Sequence, residues 1–190
     1  MSVATAPTTP TIPNYVAGRW AIDPVHSDVS FVIRHMMVSK VRGRFGTFSG
    51  EIVTADDPLD TSINASVDVT SISTNNDGRD AHLRSADFFD TEQYPSASFR
   101  STGVRVNDGD LLLDGELTVK GVAKPVELAL EVNGVGPDGQ GGTRAGFSGR
   151  TIIDRTGFGI GASAVANSVV VLSDRVDLAV EIEAILQPQA

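Results

Sequence analysis

The 190 residues suit one domain with a full core, and 19 glycines with only 21% charged residues exclude a disordered or coiled-coil chain. A net charge of −9 sets the averaged field against phosphate polymers, so no nucleic-acid partner is expected. The absence of cysteine excludes disulfides, thiolate metal sites and thiol nucleophiles.

Residues 1–17 read as a flexible N-terminal tail, because three Pro and four Thr fall within the first 13 positions. The same stretch has neither a positive n-region nor an apolar run, so it fails as a secretory signal and a cytoplasmic location is expected. No segment approaches the length needed to span a bilayer.

From residue 18 to 190 a single domain is expected, built of segments that alternate apolar and polar residues between turn signals. After "GRWAID" comes "DPVHSDVSFVIRH", residues 23–35, where strand geometry puts Ser27, Val29, Phe31, Ile33 and His35 on one face. His26, Asp28, Ser30, Val32 and Arg34 fall on the other, so the first face is the dry one. An uninterrupted strand from His26 to His35 spans roughly 30 Å, too far for both to bind one metal unless the chain bends back.

The next stretch, residues 34–45, carries Arg34, Lys40, Arg42 and Arg44 with no acid among them. These are head-group or mouth residues: they could hold an anionic head group or touch an anionic membrane surface transiently, with Met36 and Met37 as adaptable apolar contacts. The alternative is ordinary solvated arginines at strand ends. Phe48, Gly50 and Ile52 then share a face, as do Ile63, Ala65, Val67 and Val69.

Residues 73–90 break the alternation, opening with Asn and Asp capping candidates, and read as a short helix in a long connection. Leu83, Phe88 and Phe89 would lay it over a barrel end as a lid or plug. Beyond it, Asn107-Asp108-Gly109 marks a tight hairpin. The last segment sets Val176, Leu178, Val180 and Ile182 against Asp177, Glu181 and Glu183. About eight or nine strands result, which indicates an all-β sandwich or barrel. An eight-stranded barrel is either filled by side chains or holds one small ligand, and Phe31, Phe48 and Phe147 beside Gly50, Ala65 and Gly149 suit a slot.

Three chemical motifs need weighing. Asp23, His26 and Ser27 are the residue types of a hydrolytic triad, but neighbours on one extended segment point different ways, and a turn with local hydrogen bonds explains them better. His26, His35 and His82 could converge on zinc only through folding, since no H-x-H or H-E-x-x-H is present. "GVGPDG", residues 134–139, and "GFGIGAS", residues 157–163, lack the helix or the lysine of a phosphate loop and read as a hairpin loop and a bulged connection.

Taken in order, "WAIDPVHS", "FVIRH", "VRGRFGTFSG", "RDAHLRSADFFD", "YPSASF", "GELTVKGVAKPV" and "DRTGFG" resemble the YceI-like family over residues 19–187. The resemblance implies an eight-stranded antiparallel, lipocalin-like β-barrel with one short helix. It also implies an elongated apolar channel for a polyisoprenoid or similar long amphiphilic lipid, and no enzymatic activity by itself.

With the dry faces above, the expected ligand-binding residues are Phe31, Ile33 and His35; Phe48 and Ile52; Val67 and Val69; Leu117 and Val119; and Leu128 and Phe147. No catalytic residue, metal or cofactor is expected beyond the bound lipid. Ten buried methylenes at about 0.8 kcal/mol each offer about 8 kcal/mol before ordering costs, which corresponds to micromolar binding or weaker. Two other classes stay open: an enzyme acting on an isoprenoid-type substrate with a metal or with His35 as base, and a non-carrier interaction domain with a filled barrel. Spare apolar wall residues would allow a homodimer.

Overall fold

The computed structural model describes residues 10–36, 38–161 and 172–188, so the first nine residues of the expected tail, Met37 and the end of "GFGIGAS" lie outside the described residues. The strands are β1 (Gly18–Ile22), β2 (Asp28–His35), β3 (Ser39–Phe45), β4 (Phe48–Thr54), β5 (Ser62–Asp68), β6 (Ile72–Ser73), β7 (Ser96–Asn107), β8 (Asp110–Val119), β9 (Val122–Pro137), β10 (Thr143–Asp154) and β11 (Leu172–Leu186). One helix, α1 (Asp77–Arg84), joins β6 to β7.

These segments make eight antiparallel staves. Both β1 and β2 pair with β11, so they are one stave bent at Asp23–Ser27. β4 pairs with β1 and β3 with β2, so these two form the second stave, bent at Gly46 and Thr47. β5 and β6 continue the pattern as the third, and β7 to β11 complete a meander that closes through Trp20↔Leu186 and Ile22↔Ala184. Bends let a long stave follow a tilted, closed sheet without losing its ladder.

The alternation in β2 sets its register. Val29, Phe31 and Ile33 stand opposite Val180, Leu178 and Val176 of β11, which keeps both dry sets on one face. Two hairpins turn on residues with positive φ: Asp108 and Gly109 (51° and 93°) between β7 and β8, and Lys120 and Gly121 (51° and 73°) between β8 and β9. Such pairs match the twist of the flanking strands.

Helix α1 is too short to persist alone and is fixed by its ends. Asn76 accepts from the Arg79 amide at 2.9 Å, and the buried Asp80 carboxylate accepts from both the amide and the hydroxyl of Thr74. Arg84 donates at 2.7 Å to the carbonyls of Thr70 and Ile72, tying the last turn back to the barrel.

The buried apolar residues fall in two clusters. One gathers Trp20, Ile52, Ala145 and Ala184 at the β1 end, with the Trp20 indole donating to Thr54 Oγ1 at 2.9 Å. The other gathers Phe88, Val119, Ile153, Phe158, Ile160 and Val176 beside α1. Residues just before β1, read above as part of the tail, lie on the first cluster: Val16 packs against it and Tyr15 Oη donates to the Ala55 carbonyl at 2.6 Å.

Candidate ligand channel

A cavity of about 760 Å³ lies between the two clusters, within the range of roughly 300–1,000 Å³ of small-molecule sites. Its wall runs along β11 from Leu172 to Ile182. At about 3.3 Å per residue and a tilt of about 40°, that is roughly 25 Å along the barrel axis. The space is therefore a long slot, suited to a chain and not to a disc.

What keeps it open is the way its aromatic rings lie. Phe31 sits across from Gly43 of β3, and a Cβ on that glycine would stand 2.3 Å from Phe31 Cζ. Phe99 covers Gly115 in the same manner, again with 2.3 Å to its Cζ. Each ring occupies the space a neighbouring side chain would need, and so lies along the wall instead of crossing the lumen. In consequence Phe31, Phe48, Val67, Leu117, Leu128 and Phe147 face inward but are only half-buried. Inward apolar residues of a filled core would be buried fully.

All eleven residues expected to bind ligand lie on this wall: Phe31, Ile33 and His35 from β2, Phe48 and Ile52 from β4, Val67 and Val69 at the end of β5, and Leu117, Val119, Leu128 and Phe147 from β8 to β10. Of the basic set, Lys40 borders the cavity, whereas Arg34, Arg42 and Arg44 are exposed and lie outside its lining. The expected ligand-binding set left out Phe99, Leu113, Arg79 and Arg155, which also line the cavity. Phe99 was legible, since it shares a strand face with Ala97; Arg155 was not, because most of its partners come from the start of β11. Arg155 is 3% exposed and donates to the Ser173 and Ile160 carbonyls at 2.9 and 2.8 Å, with Asp174 at 3.2 Å.

Four wall residues at the α1 end, Ser39, Lys40, Arg79 and His82, are exposed, so the slot meets solvent there. At the other end it stops at Ile12, Tyr15, Pro58 and Thr61, all half-buried. The chain has 24 acidic residues, yet among the described residues none borders the cavity.

The polar cluster of Asp23, His26, Ser27, Arg144 and Glu183 lies apart from this wall and joins the β1–β2 bend to β10 and β11. Asp23 meets His26 Nδ1 at 2.8 Å and Arg144 Nη1 at 2.7 Å, and Arg144 also donates to Glu183. Hydrogen bonds from His26, from Arg144 and from the Val25 amide hold the Asp23 carboxyl well below the usual carboxylate range. The Ser27 hydroxyl is engaged with the backbone of Glu183, accepting from its amide at 2.9 Å and donating to its carbonyl at 3.3 Å, so it is not aligned on His26 as a nucleophile.

Nor do the three histidines meet. His82 bonds Asp87 at 3.1 Å and packs edge-on against Phe88. Among the described residues the one metal-capable group is Asp23, His26 and Glu183, where the Arg144 guanidinium already supplies the positive charge to both carboxylates.

The profile of the YceI-like domain matches residues 20–184. Protein YceI of Escherichia coli is 38% identical over 175 residues, covering 90% of this chain and 89% of its own. The crystal structure of the Campylobacter jejuni YCEI protein superposes with a TM-score of 0.70 at 28% identity, over 82% of this chain and 91% of its own. A polyisoprenoid binding domain from Saccharophagus degradans, implicated in plant cell wall breakdown, gives 0.70 at 20% identity, over 90% and 100%.

Proposed function

The chain belongs to the YceI-like family, and on that premise we propose that its channel binds a long-chain isoprenoid or similar amphiphilic lipid, to carry, store or sequester it. One observation carries the reading: half-buried phenylalanines surround a 760 Å³ slot with one exposed end. Binding drains water from that slot at about 0.8 kcal/mol per methylene covered, less the cost of straightening a flexible chain. Such a site selects by length and girth. That a polyisoprenoid binding domain of another organism shares the fold supports the same ligand class.

The absence of carboxylates from the described lining supports binding over turnover, because His35 there has no acidic partner to orient it. The exposed tip of the β2–β3 hairpin supports brief contact with an anionic membrane during loading. Val38 is 86% exposed, Met36 50%, and Arg34, Arg42 and Arg44 flank them.

Organic extraction of freshly purified protein, with mass spectrometry of the extract, tests the ligand class. The expected product is a long-chain lipid in near-stoichiometric amount; an extract free of lipid from a folded preparation would count against the reading.

A further inference from the structure

The segment just ahead of β1, expected above as part of the tail, folds into a tight turn. Residues 12–15, Ile-Pro-Asn-Tyr, put proline second and asparagine third, the residues that suit a type II turn because its third position takes positive φ. Asn14 has φ 57°, and the Tyr15 amide donates to the Ile12 carbonyl at 3.2 Å. The first and last residues of such a turn lie within about 7 Å of each other, so Ile12 and Tyr15 stand side by side. Both are half-buried and border the cavity, whereas Pro13 and Asn14 between them are exposed.

The anchors of this turn lie on opposite sides of the barrel. Tyr15 Oη donates at 2.6 Å to the carbonyl of Ala55, just past β4 in the second stave, and Asn14 Nδ2 donates at 3.3 Å to the carbonyl of Val135 in β9, the sixth stave. Four of eight staves separate the two, so a segment bonded to both crosses the barrel end. The buried Thr54 hydroxyl fixes its root, donating to the Val16 carbonyl at 2.9 Å while accepting from the Trp20 indole at 2.9 Å. Pro58 and Thr61, which border the same end, belong to the connection from β4 to β5; of the four residues there, only Ile12 and Tyr15 come from the segment that spans it.

Resting on the channel reading above, we infer that residues 12–15 are the end stop of the channel, and that the side chains of Ile12 and Tyr15 set the longest tail it accommodates. Affinity for a hydrocarbon tail rises about fourfold with each methylene covered, the equivalent of about 0.8 kcal/mol. That gain ends where the tail meets the two side chains.

The test uses the full-length, delipidated protein and unbranched saturated fatty acids from dodecanoic to tetracosanoic acid, each displacing a fluorescent fatty probe. In the wild type, affinity climbs with length and then levels off at a limiting acid. Ile12→Ala with Tyr15→Ala moves that limit to longer acids, so an acid two methylenes past the wild-type limit binds the variant about fifteenfold more tightly than the wild type. Ile12→Trp, which keeps both anchors, moves the limit to shorter acids. Acids well short of the limit bind all three proteins alike.

A limit that stays at the wild-type length in either folded variant, or a wild-type series with no limit at all, overturns the end stop and leaves the channel intact. Where the double variant does not fold, Ile12→Trp alone decides. Failure of every acid to bind the wild type overturns the channel reading together with it.

Discussion

The Phe31 ring lies on the backbone of Gly43, one strand away, so closely that a methyl group on the glycine would sit 2.3 Å from Cζ and 2.6 Å from Cε1. The pair explains how a wall with aromatic residues can surround empty space. A glycine opposite a phenylalanine gives the ring a shelf on its own wall, and Gly115 of β8, diagonal to Phe99 of β7, repeats the device on another part of the barrel.

Gly43→Ala should therefore push Phe31 off its shelf and toward the lumen. The expected outcome is a loss of about 1–3 kcal/mol in unfolding free energy from overpacking, with a shift of ligand preference toward shorter tails. Urea melts and a series of fatty acids of increasing length measure the two effects. An unchanged length profile would mean that the ring does not set the girth of the slot.

Phe48→Asp places a carboxylate on the half-buried channel wall opposite Val67. Because Phe48 is only half-buried, the fold should survive, as read by circular dichroism, while lipid retention falls at least tenfold, a change of about 1.4 kcal/mol. Retention equal to wild type with the fold intact would remove Phe48 from the binding wall.

The Asp23 cluster predicts a pH dependence of stability. Its carboxyl titrates below the ordinary range when folded, so its contribution is present above the unfolded value of about 3.9 and is lost as pH falls toward the folded one. Arg144→Met removes one donor from the buried Asp23 and should cost about 1–3 kcal/mol at pH 7. The difference between variant and wild type should shrink only as pH falls toward the depressed folded-state value of Asp23, where that carboxylate protonates. Denaturant unfolding at pH 7 and at stepwise lower pH, down to the most acid condition in which the fold survives, gives the comparison, and a penalty that stays constant as Asp23 protonates would rule out the ion pair as its source.

Membrane contact at the β2–β3 tip predicts that Val38→Asp, or Arg42→Glu with Arg44→Glu, lowers co-sedimentation with phosphatidylglycerol vesicles. Binding of a soluble short-tailed ligand should not change, since none of these side chains borders the cavity. Salt should weaken the contact in wild type, because exposed charges are screened within about 8 Å at physiological ionic strength. Equal sedimentation of wild type and both variants would contradict it.

Much of the barrel was legible along single strands. The alternation of Val29, Phe31, Ile33 and His35 identified an inner face because period two leaves one side dry, and Asp108-Gly109 marked its turn because few residues accept positive φ. The bends were not legible: nothing near Gly46 announces that β3 and β4 are one stave, since that depends on their partners β2 and β1. The basic stretch was read as one group, and the pairing does set Arg34, Lys40, Arg42 and Arg44 on one face of the sheet; of the four only Lys40, at the start of β3, borders the cavity. The void itself depends on the distance across the lumen, which no segment encodes alone.

Native mass spectrometry of the delipidated chain titrated with a polyprenol tests the central claim most directly. A saturable adduct of one lipid per chain, lost in the Phe48→Asp variant, is the expected result. A folded chain that stays bare at every concentration, or that takes up lipid without saturating, would contradict a defined channel.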